Sequence, residues 1–232
     1  MVTLMSERLD EPWRRRLFLP AYQIAEAANY AQISPQTVVA WHKIERGLLK
    51  EREKRAALSY MQLIEVAVVA AFRKAGVSLK RIRHAREYAA STLKSEFPFA
   101  EYRFKENAKH LYLDSTQIID LKIGTVLQVD QEGQLEWELI IGRLREFEYE
   151  NHGIVLRWHV AGLSSPIIID PRISFGAPTV KGTPTWIIRG RWDAGESDSD
   201  IADDFGIEKG EVKEALKFEG IAPGGRGKSR PH

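Results

Sequence analysis

The sequence predicts a mainly α protein, α+β overall, and three observations carry that expectation. Apolar residues recur at three- and four-residue steps across residues 22–43 and 59–93. Short apolar runs punctuated by glycine and proline fill much of 94–170. Helical spacing then returns after Pro184, interrupted at Gly195 and Gly206. The expected architecture is a winged helix-turn-helix head, a small α+β middle with short strands, and a C-terminal helical module.

The head is the most informative part. Residues 22–43 read YQIAEAANYAQISPQTVVAWHK. Ile24, Ala27, Ala28 and Ala31 give a first helix an apolar face. Gln32, Ile33 and Ser34 make the break. Ser34 stands as an N-cap and Pro35 as the first residue of a second helix. Val38 and Trp41 anchor that helix to a core, and its other face offers Gln36, Thr37, Ala40 and Lys43 outward. A short polar helix on an apolar base suits the major groove of DNA. Gln36, Thr37 and His42 are then candidates for base edges, and Lys43 and Arg46 for phosphates.

Gly47 ends the second helix. Glu51, Arg52, Glu53, Lys54 and Arg55 follow, bounded by Leu48-Leu49 and Ala56-Ala57-Leu58, and read as a small β-hairpin or wing. Arg52, Lys54 and Arg55 would hold phosphates, which position a protein without reading sequence. Ser59 caps a helix carrying Met61, Ile64, Val68, Ala71 and Phe72 at helical steps. A turn at Ala75-Gly76 leads to another helix with Leu79, Ile82, Ala85 and Tyr88 or Ala89 on one face. Lys80, Arg81, Arg83 and Arg86 line its other side, a solvated face within reach of DNA.

Composition sets bounds. The chain has 232 residues, enough for two small domains. It is 44% hydrophobic and 28% charged, so it buries a core instead of staying disordered. The absence of cysteine excludes disulfides and thiolate zinc sites. The six histidines include no HExxH pair. No run is long and apolar enough for a bilayer, and the start lacks the apolar core of a signal peptide, so a soluble cytoplasmic protein is expected. No nucleophile–base pair, phosphate loop or metal cluster stands out, so we expect no catalytic residue, metal or cofactor.

The net charge of +2 hides a polarity. Residues 1–110 hold 20 Lys/Arg against 12 Asp/Glu, whereas 193–220 hold 3 against 10. A basic front and an acidic back suit two different partners.

In the middle, 110–113, 118–121, 125–129, 154–160 and 167–169 read as short strands, and 135–148 as a helix with Trp137, Ile140, Ile141, Leu144 and Phe147 on one face. Trp137 and Trp158 are expected in the core. Glu146, Glu148 and Glu150 read as a solvated face. Residues 170–185 are rich in proline and glycine and should turn with little regular structure. Residues 186–192, a helix capped by Ser197 or Ser199, and a last helix with Val212, Ala215 and Leu216 follow. This second helix-turn-helix pattern is acidic, and its Asp198, Asp200, Asp203, Asp204, Glu208, Glu211 and Glu214 would repel phosphates. It suits a basic protein partner or self-association.

Ala75-Gly76-Val77-Ser78-Leu79-Lys80-Arg81-Ile82, with the preceding helix-turn-helix and wing, resembles the DNA-binding domain of the MerR family over about residues 20–93. Residues 171–219 resemble a homeodomain-like three-helix module found at the C-terminus of antitoxins, through Pro171, Gly176, Pro178, Gly182, Thr183, Gly195, Ser197, Ile201, Ala202, Phe205, Gly206, Ala215, Leu216 and Glu219. The order of the parts is similar to that of the longer VapB-type antitoxins. That resemblance implies binding and inhibition of a PIN-like ribonuclease toxin, together with repression of the protein's own operon. It implies domains at 1–95, 96–170 and 171–220, a flexible basic tail at 221–232, and a homodimer on operator DNA. Candidate toxin contacts are Arg172, Trp186, Arg189 and Trp192, with Arg226 and Arg230 of the tail reaching for acidic metal ligands. The alternative is a stand-alone MerR-like regulator that senses a small molecule in its middle segment.

Overall fold

A computed structural model describes residues 11–46, 57–102, 104–105, 140–151 and 153–222, and the side chains of 43–46 and 57 are not among the described parts. The fold is mixed α+β, with helices and short antiparallel strands, in two compact units at 1–157 and 158–232. The division falls inside the expected 96–170 connector.

Among the described residues, the first element of the first unit is α1 (Pro12–Arg16), opened by a proline whose missing N–H costs nothing at that position. Leu17 is buried, and its carbonyl accepts the Met61 N–H at 3.2 Å. Strand β1 (Tyr22–Gln23) leads into α2 (Ile24–Ala31). Gln23 and Glu26 form a reciprocal capping box, and Ala27, Ala28 and Ala31 form the buried face. Gln32 stops the helix in the left-handed region (φ 55°), and the Ile33 N–H returns to the Ala28 carbonyl at 3.0 Å. Helix α3 (Pro35–Arg46) begins one residue after the expected cap, Ser34, whose Oγ accepts the Thr37 N–H at 3.2 Å. Strand β2 (Ala57–Leu58) pairs antiparallel with β1, Tyr22 opposite Leu58.

Helix α4 (Tyr60–Lys74) is capped by Ser59, with Gln62 closing the box. It is buried on every side from Tyr60 to Phe72, so it forms the axis of the unit and not the half-exposed helix that the apolar spacing suggests. Helix α5 (Leu79–Leu93) is capped by Ser78 and buries Ile82, Ala85, Ala89 and Leu93. Phe99, in a 3-10 turn over Pro98–Ala100, is the hub of an aromatic cluster: its ring centroid lies 6.3 Å from Trp41, 5.9 Å from Phe72 and 4.6 Å from Phe104. That cluster fixes α3 through Trp41.

The helix expected over 135–148 is corrected at its end. Residues 140–144 are helical, but β3 (Phe147–Tyr149) follows. Phe147 is buried and Glu148 exposed, so the spacing has already switched to the period of a strand. β3 neighbours the start of β4 (Val155–Trp158). A Cβ on Gly153 would lie 2.9 Å from the Glu150 carbonyl oxygen, so only glycine fits that turn. The strands expected at 110–113, 118–121 and 125–129 lie outside the described residues.

In the second unit Trp158, fully buried, pairs with Ile169 of β5 (Ile167–Ile169). Here the expectation of little regular structure over 170–185 is also corrected. β6 (Pro178–Val180) runs antiparallel to β5, and β7 (Thr183–Pro184) runs antiparallel to β6. Pro184 is tolerated because β7 lies at the edge, where no ladder N–H is needed. Three helices follow: α6 (Thr185–Asp193), α7 (Asp198–Phe205) and α8 (Lys209–Phe218). Gly195 and Gly206, at φ 96° and 63°, supply the left-handed turns between them. Ser197 caps α7, and Ile188, Ile201, Val212, Ala215 and Leu216 fill the space between the helices.

Candidate functional site

Two surfaces contain the expected site residues. The first is α3. Val38 and Trp41 are buried, Gln36 is exposed, and Thr37 and Ala40 are half-buried. Thr37 Oγ1 lies 2.9 Å from Ser34 Oγ, so this side chain both faces outward and locks the cap. His42 does not point outward as expected: it is 5% exposed. Position 42 is one turn beyond Val38 and shares its buried side. Lys43 and Arg46 extend the same helix, but their side chains are not described, and Arg52, Lys54 and Arg55 lie outside the described residues.

Arg86 also leaves the expected basic face. Its Nε donates to Oε2 of Glu65 at 2.7 Å, and its Nη2 donates to the Glu96 carbonyl. Glu65 is 1% exposed, and its other oxygen accepts the Phe99 N–H at 3.4 Å. Arg86 thus joins α5 to the buried α4 and to the turn that carries Phe99. Glu65 stands inside an apolar helix and carried no sequence signal beyond being a lone carboxylate among aliphatic residues.

The three glutamates near β3 are each paired. Glu146 meets Arg143 at 3.1 Å and Glu148 meets Arg157 at 3.2 Å. Glu150 accepts two bonds from Arg14, at 2.6 and 2.9 Å, and this fork holds the Arg14 guanidinium above its ordinary pKa, chiefly through the hydrogen bond. Among the described residues no group of His, Asp or Glu is arranged to hold a metal ion, and no helix is long and apolar enough to cross a membrane.

The second surface is the module in the second unit. Arg172, expected to meet a partner, lies in a fork on the buried Asp170, with Nε–Oδ1 at 2.9 Å and Nη2–Oδ2 at 2.7 Å. Arg189 donates to the Glu219 carbonyl at 3.1 Å and lies 3.4 Å from Asp193. Both arginines are therefore engaged within the unit. Trp186 is 60% exposed and Trp192 is half-buried. Arg226 and Arg230 lie outside the described residues.

Arg191 ties α6 to α7 by bonding Glu196 and, at 2.6 Å, Asp204, and these partners raise its pKa, Glu196 foremost. Lys181, in the β6–β7 turn, bonds Glu211 of α8 at 2.8 Å. Burial acts to raise Glu211, but the Glu208 N–H and Lys181 outweigh it and hold the carboxyl below its ordinary value. The Ser197 hydroxyl does the same for Asp200. Glu211 and Asp200 therefore stay ionised at neutral pH. The sequence reading missed Phe175. It is 78% exposed, and both it and Ser174 hold positive φ, 56° and 45°.

Fold and surfaces together describe a two-part α+β protein with a helix-turn-helix in its first unit and an acidic helical module in its second. Residues 167–218 match a family model described as a protein of unknown function, DUF433. A curated protein of Mycobacterium tuberculosis, named "Putative antitoxin VapB45", is 24% identical over 238 residues, spanning 89% of this chain and 97% of its own. The crystal structure of Rv2018 from Mycobacterium tuberculosis has a similar fold, with a TM-score of 0.71 at 19% identity, covering 87% of this chain and 99% of that one.

Proposed function

We propose that this protein is the antitoxin of a type II toxin–antitoxin system, binding and inhibiting a PIN-like ribonuclease toxin and repressing its own operon. The observation that carries the reading is the near end-to-end likeness to a protein named as an antitoxin. The geometry supports a division of labour. Helix α3 is anchored from beneath by Val38 and Trp41 and leaves Gln36, Thr37 and Ala40 toward solvent. That is the arrangement a groove-reading helix needs. Lys43, Arg46, Arg52, Lys54 and Arg55 extend the same segment with phosphate-binding charge. His42 is excluded from this set by its burial.

In this reading the acidic module holds the toxin, since like charge keeps it away from DNA. The protein works as a homodimer on an inverted repeat, in the cytoplasm, with no chemistry of its own. The basic tail, with Arg226 and Arg230, remains a candidate toxin contact.

Co-expression with the small nuclease encoded beside it tests the proposal. The two proteins should co-purify, and the nuclease should cleave RNA only when this chain is absent. Cleavage undiminished by a stoichiometric excess of this protein would overturn the reading.

A further inference from the structure

We propose that the outward face of α6 is where two copies of this chain meet, with Trp186 of each copy seated over Gly190 of the other. This deepens the homodimer of the reading above by naming its surface, and it makes no use of the toxin. Helix α6 turns Thr185 and Ile188 into the unit. Trp186 and Gly190, four positions apart, share the opposite face, and both are exposed, Trp186 by 60%. Among the described residues Trp186 makes no ring contact, cation contact or hydrogen bond. A single exposed aromatic is common on protein surfaces and would carry little by itself. Gly190 gives it a counterpart.

Nothing within the unit calls for glycine at 190. Its φ is not positive, and a Cβ built there meets nothing within 4 Å, the Trp186 ring included. Glycine is the poorest helix former after proline, yet it stands inside a helix of nine residues. The chain thus keeps a bare patch of backbone at the expense of helix stability, one turn from an indole that nothing covers. A knob and a hole on one face are complementary to themselves. A two-fold axis that runs α6 antiparallel to its copy sets each indole into the opposite hole. The missing Cβ lets the two helix axes approach closely there. Tryptophan is also the residue type most enriched among those that dominate binding energy at interfaces.

Charge favours a second copy over a charged partner. The ionic groups at the edge of this face are closed among themselves. Arg189 lies 3.4 Å from Asp193 and donates to the Glu219 carbonyl at 3.1 Å, and the Glu219 carboxylate accepts the Thr185 hydroxyl at 2.6 Å. The charges of the module that have no ion pair among the described residues stand on other helices, Asp198 and Asp203 on α7 and Lys209 and Lys213 on α8. A basic protein or a DNA backbone would be drawn to those helices and finds no open charge on α6. Two copies of the α6 face meet with their edge charges already matched, leaving the indole and the bare backbone as the contact.

The test measures dimerisation of the full chain by sedimentation equilibrium without DNA, alongside inhibition of the nuclease encoded beside it. Trp186→Ala should weaken the dimer by at least about thirtyfold, as loss of a hot-spot tryptophan does. Gly190→Gln favours the helix, so it keeps the fold, and by filling the hole it should weaken the dimer by at least about tenfold. Both variants should keep the wild-type circular dichroism. In the double variant the two losses should not add, because each removes the same contact. Wild-type dimerisation in both variants, a wild type that stays monomeric up to about 100 μM, or losses that add, overturns this inference alone. Variants that stay dimeric but no longer inhibit the nuclease would give the face to the toxin and also overturn it. A wild type that dimerises through this face without inhibiting the nuclease overturns the antitoxin reading and leaves this inference standing.

Discussion

Replacing Arg86 by leucine should damage the first unit's stability, not a DNA contact. Glu65 sits at the middle of a helix buried on all sides, and Arg86 Nε reaches it at 2.7 Å while also holding the Glu96 carbonyl. Taking the cation away strands a carboxylate in a place with 1% exposure. Breaking one partner of such a pair typically costs about 3–5 kcal/mol. With a urea dependence of roughly 2 kcal/mol per molar, the midpoint should fall by about 1.5–2.5 M. Glu65→Gln in the Arg86→Leu background should recover part of that loss, because no buried charge is then left unpaired. Urea denaturation followed by tryptophan fluorescence reads the result, since Trp41 packs against Phe99 beside this network. A midpoint within about 0.3 M of wild type, together with lost affinity for DNA, would refute the reasoning. Arg86 would then belong to the basic face where its sequence position had placed it.

Two further outcomes follow from the caps and the acidic face. Ser34→Ala removes the acceptor of the Thr37 N–H and should destabilise the first unit by about 1 kcal/mol in urea; an unchanged midpoint would show that the cap contributes nothing there. Glu211 and Asp200 are held below their ordinary values of 4.5 and 3.8, so their contribution is complete above those values and disappears as pH falls through the lower folded-state values. Thermal midpoints should be flat from neutrality to about pH 5 and fall below about pH 4.5, with Glu211→Gln blunting the fall; a midpoint that rises on acidification would contradict the assigned direction.

Four helix starts were legible because capping is local. Ser34-Pro35, Ser59, Ser78 and Ser197 each announce a start within four residues, and each cap is present. Strand content was less legible because pairing is not local. Thr179 becomes strand by meeting Ile168, eleven positions earlier, in a stretch whose composition argues for turns. The same limit governs the site residues. Gln36 could be placed outward by helical spacing, but Arg86 finds Glu65 across 21 positions and Arg172 turns back onto Asp170. His42 follows the side of Val38, which the outward reading of its polarity overlooked. Phe175 is exposed by a backbone conformation that no pattern of hydrophobicity encodes.

The most direct test of the account is a titration of DNA from the protein's own promoter with wild type and with Gln36→Ala/Thr37→Ala, at two salt concentrations. The account predicts a loss of about 1–3 kcal/mol per base contact for that promoter and little change for unrelated DNA, with the salt slope preserved. Equal affinity of wild type and variant for the promoter would contradict it.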